Sequence, residues 1–259
     1  MFFERNLPVD VLSSRELPQD AIQRYKLIIV PYPLMLTDDE ARILKEYVSA
    51  GGHFFVEARA GWVDERGFAQ STVPGFDWDE MLGVRERQLI PEREFEVAWE
   101  TDRFKGMTFQ EQFEVKSSSA HPLASLADGT PIAYENEYHE GKAIIFGSFA
   151  GQENYRHPVP MHPLAGVLAK WASLTEPNLR APTLLELRQM HAPNGRLVFL
   201  FNHSQKSAPV EFTRALEKPA ASIGEIMTGQ NFPATGTKLN LRVEVPAESV
   251  RVFRIEFVP

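Results

Sequence analysis

Tyr25-Lys26-Leu27-Ile28-Ile29-Val30-Pro31 and His53-Phe54-Phe55-Val56-Glu57 are two short apolar runs, and the stretch that joins them decides the fold. Continuous runs of this length suit strands buried on both faces of a parallel sheet. Between them Thr37 precedes Glu40 by three residues, the spacing of a capping box. Ala41, Leu44, Tyr47 and Val48 follow at helical spacing, with Ile43 widening the stripe. Gly51 then stands where a left-handed residue ends a helix. Strand, crossover helix and strand make a βαβ unit, for which a right-handed crossover is expected.

The turn after the second strand reads Glu57-Ala58-Arg59-Ala60-Gly61-Trp62-Val63-Asp64-Glu65. Open α/β sheets place ligands at the carboxyl ends of their strands, so this turn is the first place to look for chemistry. A nucleophile elbow reads G-x-S-x-G or its cysteine equivalent. Aligned on Gly61, the reactive position here holds Arg59, which stays protonated and cannot attack a carbonyl. Arg59 with Glu57, Asp64 and Glu65 is expected to form an ion-pair cluster, and Trp62 is a candidate platform for a sugar ring or a partner subunit. Phe149-Ala150-Gly151-Gln152-Glu153-Asn154-Tyr155 follows another strand on the same sheet edge, which adds Glu153 and Tyr155 to the candidates. Glu57 and Glu153 would suit glycoside hydrolysis only at the carboxylate spacings that reaction demands, which the sequence does not define. The site reading is therefore that no residue is assigned to catalysis or to a metal, while Glu57, Arg59, Trp62, Glu153 and Tyr155 are candidates for ligand or subunit contact.

Elsewhere the pattern is coarser. Pro8 to Leu12 reads as a first short strand, Phe76 to Leu82 as a short helix, and Val84 to Leu89 and Glu94 to Trp99 as two edge strands with Glu92-Arg93-Glu94 a solvated face. Pro131 to Tyr138 and Lys142 to Phe146 bracket a turn and read as a hairpin; Pro163 to Trp171 reads as a closing helix. Leu174 to Pro182 carries two prolines and no periodicity, a boundary signal. Beyond it, Leu184 to Met190, Leu197 to Asn202, Pro209 to Phe212, Ile223 to Met227, Leu239 to Val245 and Val250 to Phe257 are short runs between turn residues, with a hairpin signal at Asn194-Gly195. That is the pattern of a small all-β sandwich.

Composition excludes several classes. The 259 residues carry 43% hydrophobic and 24% charged residues, ordinary for a globular chain. The net charge of −8 argues against nucleic acid or an anionic membrane as partner, because both require a basic footprint. The absence of cysteine removes disulfides, thiolate nucleophiles and thiolate metal sites, and a cytoplasmic location is the expectation. His157 and His162 are separated by prolines and lack an intervening carboxylate, so they read as solvated or loop-packing residues rather than metal ligands; no cofactor is expected.

Several motifs together resemble a known family. Tyr25 to Pro31, the helix ending Tyr47-Val48-Ser49-Ala50-Gly51-Gly52, Arg59 to Glu65, Pro74-Gly75, Leu82-Gly83-Val84 and Gly141 to Gly147 resemble the trimerisation domain of family-42 β-galactosidases. Leu197 to Ser204, with its Phe-Asn-His-Ser end, and Glu225-Ile226-Met227-Thr228-Gly229 resemble strands of that family's small β domain. The resemblance implies a three-part enzyme: a TIM barrel holding both catalytic glutamates, an α/β domain that builds the trimer, and a β-sandwich. It implies here a flavodoxin-like, class I glutamine amidotransferase-like parallel-sheet domain over residues 1–176 and a sandwich over residues 177–259. No position matches the barrel motifs, so no catalytic glutamate is carried over, and a truncated or split chain is the expectation. The partners implied are further copies of the chain in a trimer, a barrel polypeptide, and a galactoside or oligosaccharide. Two other readings stay open: a carbohydrate-binding module using Trp62, Trp78 and Tyr155 as exposed aromatics, and a divergent glycosidase or amidotransferase-like enzyme using Glu57 and Glu153.

Overall fold

The computed structural model describes residues 1–13, 16, 24–158, 161–182, 185–234 and 236–258. The chain divides into two compact units, one spanning Val11–Ser173 and the other combining Met1–Asp10 with Leu174–Pro259.

The first unit contains β1 (Leu27–Val30), α1 (Asp38–Ser49), β2 (His53–Glu57), α2 (Trp78–Leu82), β3 (Val84–Trp99), β4 (Asp102–Val115), β5 (His121–Ser125), β6 (Pro131–Tyr138), β7 (Gly141–Phe146), α3 (Ala150–Arg156) and α4 (Pro163–Trp171). The strands form one sheet in the order β1-β2-β7-β6-β5-β3-β4. β1 runs parallel to β2, with Leu27 opposite His53, and β2 runs parallel to β7, with His53 opposite Lys142. The remaining neighbours are antiparallel, so the sheet is mixed rather than parallel throughout. Two tight hairpins produce the difference: Trp99 pairs with Asp102 across Glu100 (φ 51°), and Tyr138 with Gly141 across His139 (φ 52°). Two-residue loops need positive φ to follow the strand twist.

The βαβ unit forms as its sequence predicts. Thr37 Oγ1 accepts the Glu40 N–H at 3.1 Å, and the Glu40 carboxylate accepts the Thr37 N–H at 2.9 Å, closing the capping box. Ala41, Leu44, Tyr47 and Val48 are buried against Phe54, Val56 and Ile145 of the sheet. Trp78, expected as an exposed aromatic, is fully buried in this same core. Its indole N–H donates to the Ala41 carbonyl at 3.1 Å and its ring meets Phe54 edge-on at 5.4 Å. The helix of Phe76 to Leu82, predicted from apolar content alone, is therefore pinned by an aromatic that has both an apolar body and a satisfied donor.

The middle of the unit departs from expectation. The two edge strands are one bulged strand, β3, paired with β4 along a long hairpin. The register shifts between Pro91 and Glu94, which lets Pro91 sit in the strand without a ladder donor. Glu92, Arg93 and Glu94 are exposed, as expected of a solvated face. The run from Pro8 to Leu12 is not a strand: Val9, Val11 and Leu12 are exposed and have no ladder partner among the described residues.

The second unit is a two-sheet β structure. Its strands are β8 (Asn178–Arg180), β9 (Glu186–Ala192), β10 (Gly195–Asn202), β11 (Ala208–Ala215), β12 (Ala220–Glu225), β13 (Asn231–Phe232), β14 (Lys238–Val245) and β15 (Ser249–Phe257). One sheet has the order β13-β12-β15-β10-β9, the other β14-β11-β8. Inward positions of β10, Val198 and Leu200, pack with Phe212, Leu241, Phe253 and Ile255. The Asn194-Gly195 signal is realised as the β9–β10 hairpin, with Ala192 opposite Gly195. The start of the expected strand at Leu184 lies outside the described residues. β8 forms inside the proline-bearing Leu174 to Pro182 stretch.

Residues 1–10 pack on this unit, whereas the sequence placed them with the α/β part. The Asn6 amide explains it: its Nδ2 donates to the Leu185 carbonyl at 2.9 Å and its Oδ1 accepts the Leu187 N–H at 2.7 Å, as a neighbouring strand would. The Arg188 guanidinium lies 4.1 Å from the Phe3 ring centroid.

Gly141 tests the close packing of the first unit. A β-carbon there would lie 2.0 Å from the Val48 carbonyl oxygen and 2.6 Å from that of Gly52, both backbone atoms that no side-chain rotation can clear. Gly141→Ala is expected to destabilise the chain by about 1–3 kcal/mol, the cost of overpacking, read as a lower urea midpoint with an unchanged m-value.

Candidate functional site

At the carboxyl end of β2 the chain turns sharply, and Arg59 takes a left-handed conformation with φ 64°. Non-glycine residues rarely adopt this region, and where they do the surroundings must enforce it. Here the Arg59 N–H donates to Glu111 Oε2 of β4 at 3.0 Å, and the guanidinium forms an ion pair with Glu86 of β3. Glu111 Oε1 lies 4.0 Å from the same guanidinium. Glu111 is fully buried. Burial, and after it the adjoining Glu86 carboxylate, push its carboxyl well above the ordinary range, against the pull of Arg59. The expected pairing of Arg59 with Asp64 and Glu65 is replaced by this one. Asp64 instead caps its own turn, accepting the N–H groups of Arg66 and Phe68, each at 2.9 Å.

Glu57 is buried at the last position of β2. Its carboxylate accepts the Gly151 N–H at 2.9 Å, and the N–H groups of Ala150 and Tyr32 also bear on it. Burial raises its pKa from 4.5 to about 7, and the three N–H donors work against that rise. Glu153, on α3, is buried too: its Oε2 accepts the Lys105 N–H at 3.1 Å and meets His162 Nε2 at 2.8 Å. His162 Nδ1 accepts the Leu164 N–H at 3.3 Å, which places the imidazole proton on Nε2, directed at Glu153. Ser148 Oγ both accepts the Met107 N–H at 2.8 Å and donates to the Met107 carbonyl at 3.0 Å. These polar side chains are thus turned into the structure, each meeting a backbone group or another buried side chain.

The surface above them exposes four large apolar side chains beside the charged Glu65 and Arg66. Tyr32 and Met35 in the loop after β1, and Trp62 and Phe68 in the loop after β2, are 40% to 68% exposed. The two loops are joined: the Gly61 N–H donates to the Pro33 carbonyl at 2.7 Å and the Val63 N–H to the Leu34 carbonyl at 3.0 Å. The Arg59 guanidinium lies 4.2 Å from the Trp62 ring centroid, so the buried ion-pair cluster also supports the exposed indole. Tyr155 projects from α3 at 86% exposure. His157 is exposed near Glu94, whereas His162 belongs to the interior. Among the described residues no group of three or more His, Asp or Glu side chains converges as a metal site, and no helix is long and apolar enough to cross a membrane.

Glu86 and Glu111 were missed by the sequence reading. A signal existed for Glu111: it falls in phase with Phe109 and Phe113, an acid on the apolar side of its strand.

The raised pKa of Glu57 has a defined consequence. The folded chain holds this proton more tightly than the unfolded chain, so the associated stability is complete below about pH 4.5 and is lost as pH rises through about 7. Glu57→Gln removes the titration. Relative to that variant, the native chain is expected to lose roughly 3 kcal/mol at most between those limits, as measured by urea unfolding at pH 5 and pH 8.

The family model described as "Beta-galactosidase trimerisation domain" matches residues 1–161. Curated relatives include the β-galactosidase GanA of Bacillus subtilis, 26% identical over 152 residues, which cover 57% of this chain and 22% of the relative. The β-galactosidase BgaB of a Geobacillus species is 25% identical over 209 residues, covering 78% of this chain and 29% of the relative. Among solved structures, the E323A variant of Gan42B, described as a family GH42 β-galactosidase from G. stearothermophilus, superposes with a TM-score of 0.76 at 22% identity, covering 98% of this chain and 35% of that one. A β-galactosidase from Bacillus circulans sp. alkalophilus gives 0.74 at 18% identity, covering 98% and 36%. The chain thus spans between a fifth and a third of the curated relatives it matches. By the extent of that match, the chain belongs to the β-galactosidase trimerisation-domain family.

Proposed function

We propose that this chain is the oligomerisation and accessory part of a β-galactosidase-like glycoside hydrolase, associating as a trimer and contributing no catalytic side chain of its own. The observation that carries the reading is Arg59. It occupies the elbow position, in the left-handed conformation an elbow requires, yet its guanidinium is held by Glu86 and its N–H by Glu111. Glu57 and Glu153 are likewise buried against backbone donors. The carboxyl end of the sheet offers a partner the exposed Tyr32, Met35, Trp62 and Phe68, and aromatic residues are enriched at the centre of stable interfaces. The elbow supports descent from a flavodoxin-like, amidotransferase-like scaffold that exchanged its nucleophile for a brace. The glutamates that hydrolyse the sugar then come from a barrel polypeptide, and the cysteine-free sequence supports a cytoplasmic setting.

A second reading, a platform for a galactoside or oligosaccharide, rests on Trp62 and Tyr155, which are exposed, and loses Trp78, which is buried.

Light scattering after size exclusion tests the first reading. The native chain is expected to run as three 29.3 kDa protomers. Trp62→Glu is expected to weaken association by roughly 2 kcal/mol or more, the loss of a central aromatic contact, with an unchanged far-UV spectrum. A monomeric native chain overturns the trimer, and hydrolysis of an aryl β-galactoside by the purified chain overturns the non-catalytic role. Saturable oligosaccharide titrations abolished by Trp62→Ala would favour the platform.

A further inference from the structure

A cleft of about 400 Å³ runs along α1, within the size range of small-molecule sites. Asp38, Arg42, Lys45 and Ser49 border it from successive turns of one helix face, so it follows the helix for roughly 16 Å. Phe76 and Asp77, which precede α2, and Tyr138, the last residue of β6, add to the lining. Phe76 and Asp77 are consecutive non-glycine residues in the left-handed region, with φ 56° and 55°. Such conformations persist only where the surroundings enforce them. The Asp77 carbonyl accepts a hydrogen bond from Lys45 Nζ at 3.2 Å, and the Phe76 ring packs so closely on Gly61 that a β-carbon there would lie 2.9 Å from it. The strained turn thus holds an aromatic ring and a carboxylate at the cleft.

The polar groups of the lining are only partly spent. An ammonium has three donors; Glu80 accepts one from Lys45 at 2.8 Å and the Asp77 carbonyl another, which leaves the third. The Asp38 and Asp77 carboxylates and the Tyr138 hydroxyl make no hydrogen bond or ion pair among the described residues. Arg42, by contrast, is held by Glu46 at 2.8 Å and Asp39 at 3.2 Å. The Tyr138 ring centroid lies 5.8 Å from Lys45 Nζ, close enough for ring and donor to serve one ligand. Two free carboxylates disfavour an anion. An extended peptide finds no ladder partner, because the α1 backbone that borders the cleft is spent within the helix. A pyranose matches the whole set: its hydroxyls donate to carboxylates and accept from an ammonium, and its C–H face lies against the electron-rich face of an aromatic ring.

We propose that this cleft binds a neutral sugar of one or two pyranose rings. Asp38 and Asp77 accept its hydroxyls, Lys45 donates to its oxygens, and Tyr138 and Phe76 take its apolar face. Neither Trp62 nor Tyr155 lines the cleft. The site does not rest on the oligomer reading, so a chain that runs as a monomer leaves it standing.

Saturation-transfer NMR and calorimetric titration of the full chain with galactose, glucose and lactose test this. Saturable binding of at least one is expected. Asp38→Asn and Asp77→Asn are each expected to weaken it by about tenfold, the loss of a charge-assisted hydrogen bond. Asparagine tolerates the left-handed region, so the turn at position 77 is kept. Galacturonate is expected to bind about tenfold or more weakly than galactose, because its carboxylate meets those of Asp38 and Asp77. Absence of saturable binding by the native chain overturns the site, as does an unchanged affinity in the Asp38→Asn, Asp77→Asn double variant. Galactosamine that saturates where the three neutral sugars do not overturns the assignment to a neutral sugar, since the carboxylates then bind an ammonium. Should Asp77→Asn fail to fold, Asp38→Asn, at an exposed position of α1, decides alone: an unchanged affinity there overturns the site.

Discussion

The hydrogen bond from the Arg59 N–H to the Glu111 carboxyl is the contact on which the sheet's carboxyl end depends. A left-handed arginine carries roughly 1–3 kcal/mol of backbone strain, and its N–H has left the ladder of β2. An acceptor must come from elsewhere, and β4 supplies it from 52 residues further along the chain. Glu111 is buried to do so, and the Arg59 guanidinium, paired with Glu86, offsets the charge of that cluster. The acceptor and the ion pair hold Arg59 in this conformation. The turn takes both its N–H acceptor and its counter-ion from the β3–β4 hairpin, which couples the parallel part of the sheet to the antiparallel part.

The other carboxylates at this edge follow the same logic. Parallel strands deliver their loops to one edge, where backbone N–H groups leave the ladder and must find acceptors. Glu57 serves Gly151 at the start of α3, and Glu153 serves Lys105 in β4. A carboxyl raised to about 7 is often the mark of a general acid. Here its cause is burial beside a helix start, and the group is directed at backbone rather than at solvent. The same displacement arises from a structural role, so position and partners, not titration, decide between the two. Rigidity is the consequence at the surface: two loops bonded to each other, and an indole resting on a buried guanidinium, present their apolar side chains with little freedom to lose on association.

How much of this was legible in the sequence follows from how local each determinant is. The βαβ unit was readable because its capping box, helical stripe and apolar runs act within a few residues. The closing helix Pro163–Trp171 and the inward alternation of β10 were readable for the same reason. Trp78 was not: whether an aromatic is exposed depends on what packs above it, and α1 closes over it. The partners of Arg59 were not, because Asp64 and Glu65 are near in sequence while Glu86 and Glu111 are near in space. The β3–β4 hairpin was seen only as fragments, since Pro91 and the charged residues after it interrupt the pattern that a bulge accommodates. Pro8 to Leu12 failed in the opposite sense: strand-like composition does not make a strand without a neighbour to share its ladder.

The β unit shows what satisfied burial looks like. Asn202 reaches the carbonyls of Lys206, Val245 and Pro246 with its amide nitrogen and accepts from the Ser204 N–H and hydroxyl with its oxygen. Glu225 accepts the N–H groups of Met227, Thr228 and Val252, with Arg251 3.6 Å away. These are the residues of the Asn-His-Ser and Glu-Ile-Met-Thr-Gly motifs, and their side chains replace the backbone partners that two turns lack. Both of these buried side chains are matched from within the chain. Arg196 is as deeply buried on the same inner face, where Gln189 and the Glu217 carboxylate meet its terminal nitrogens.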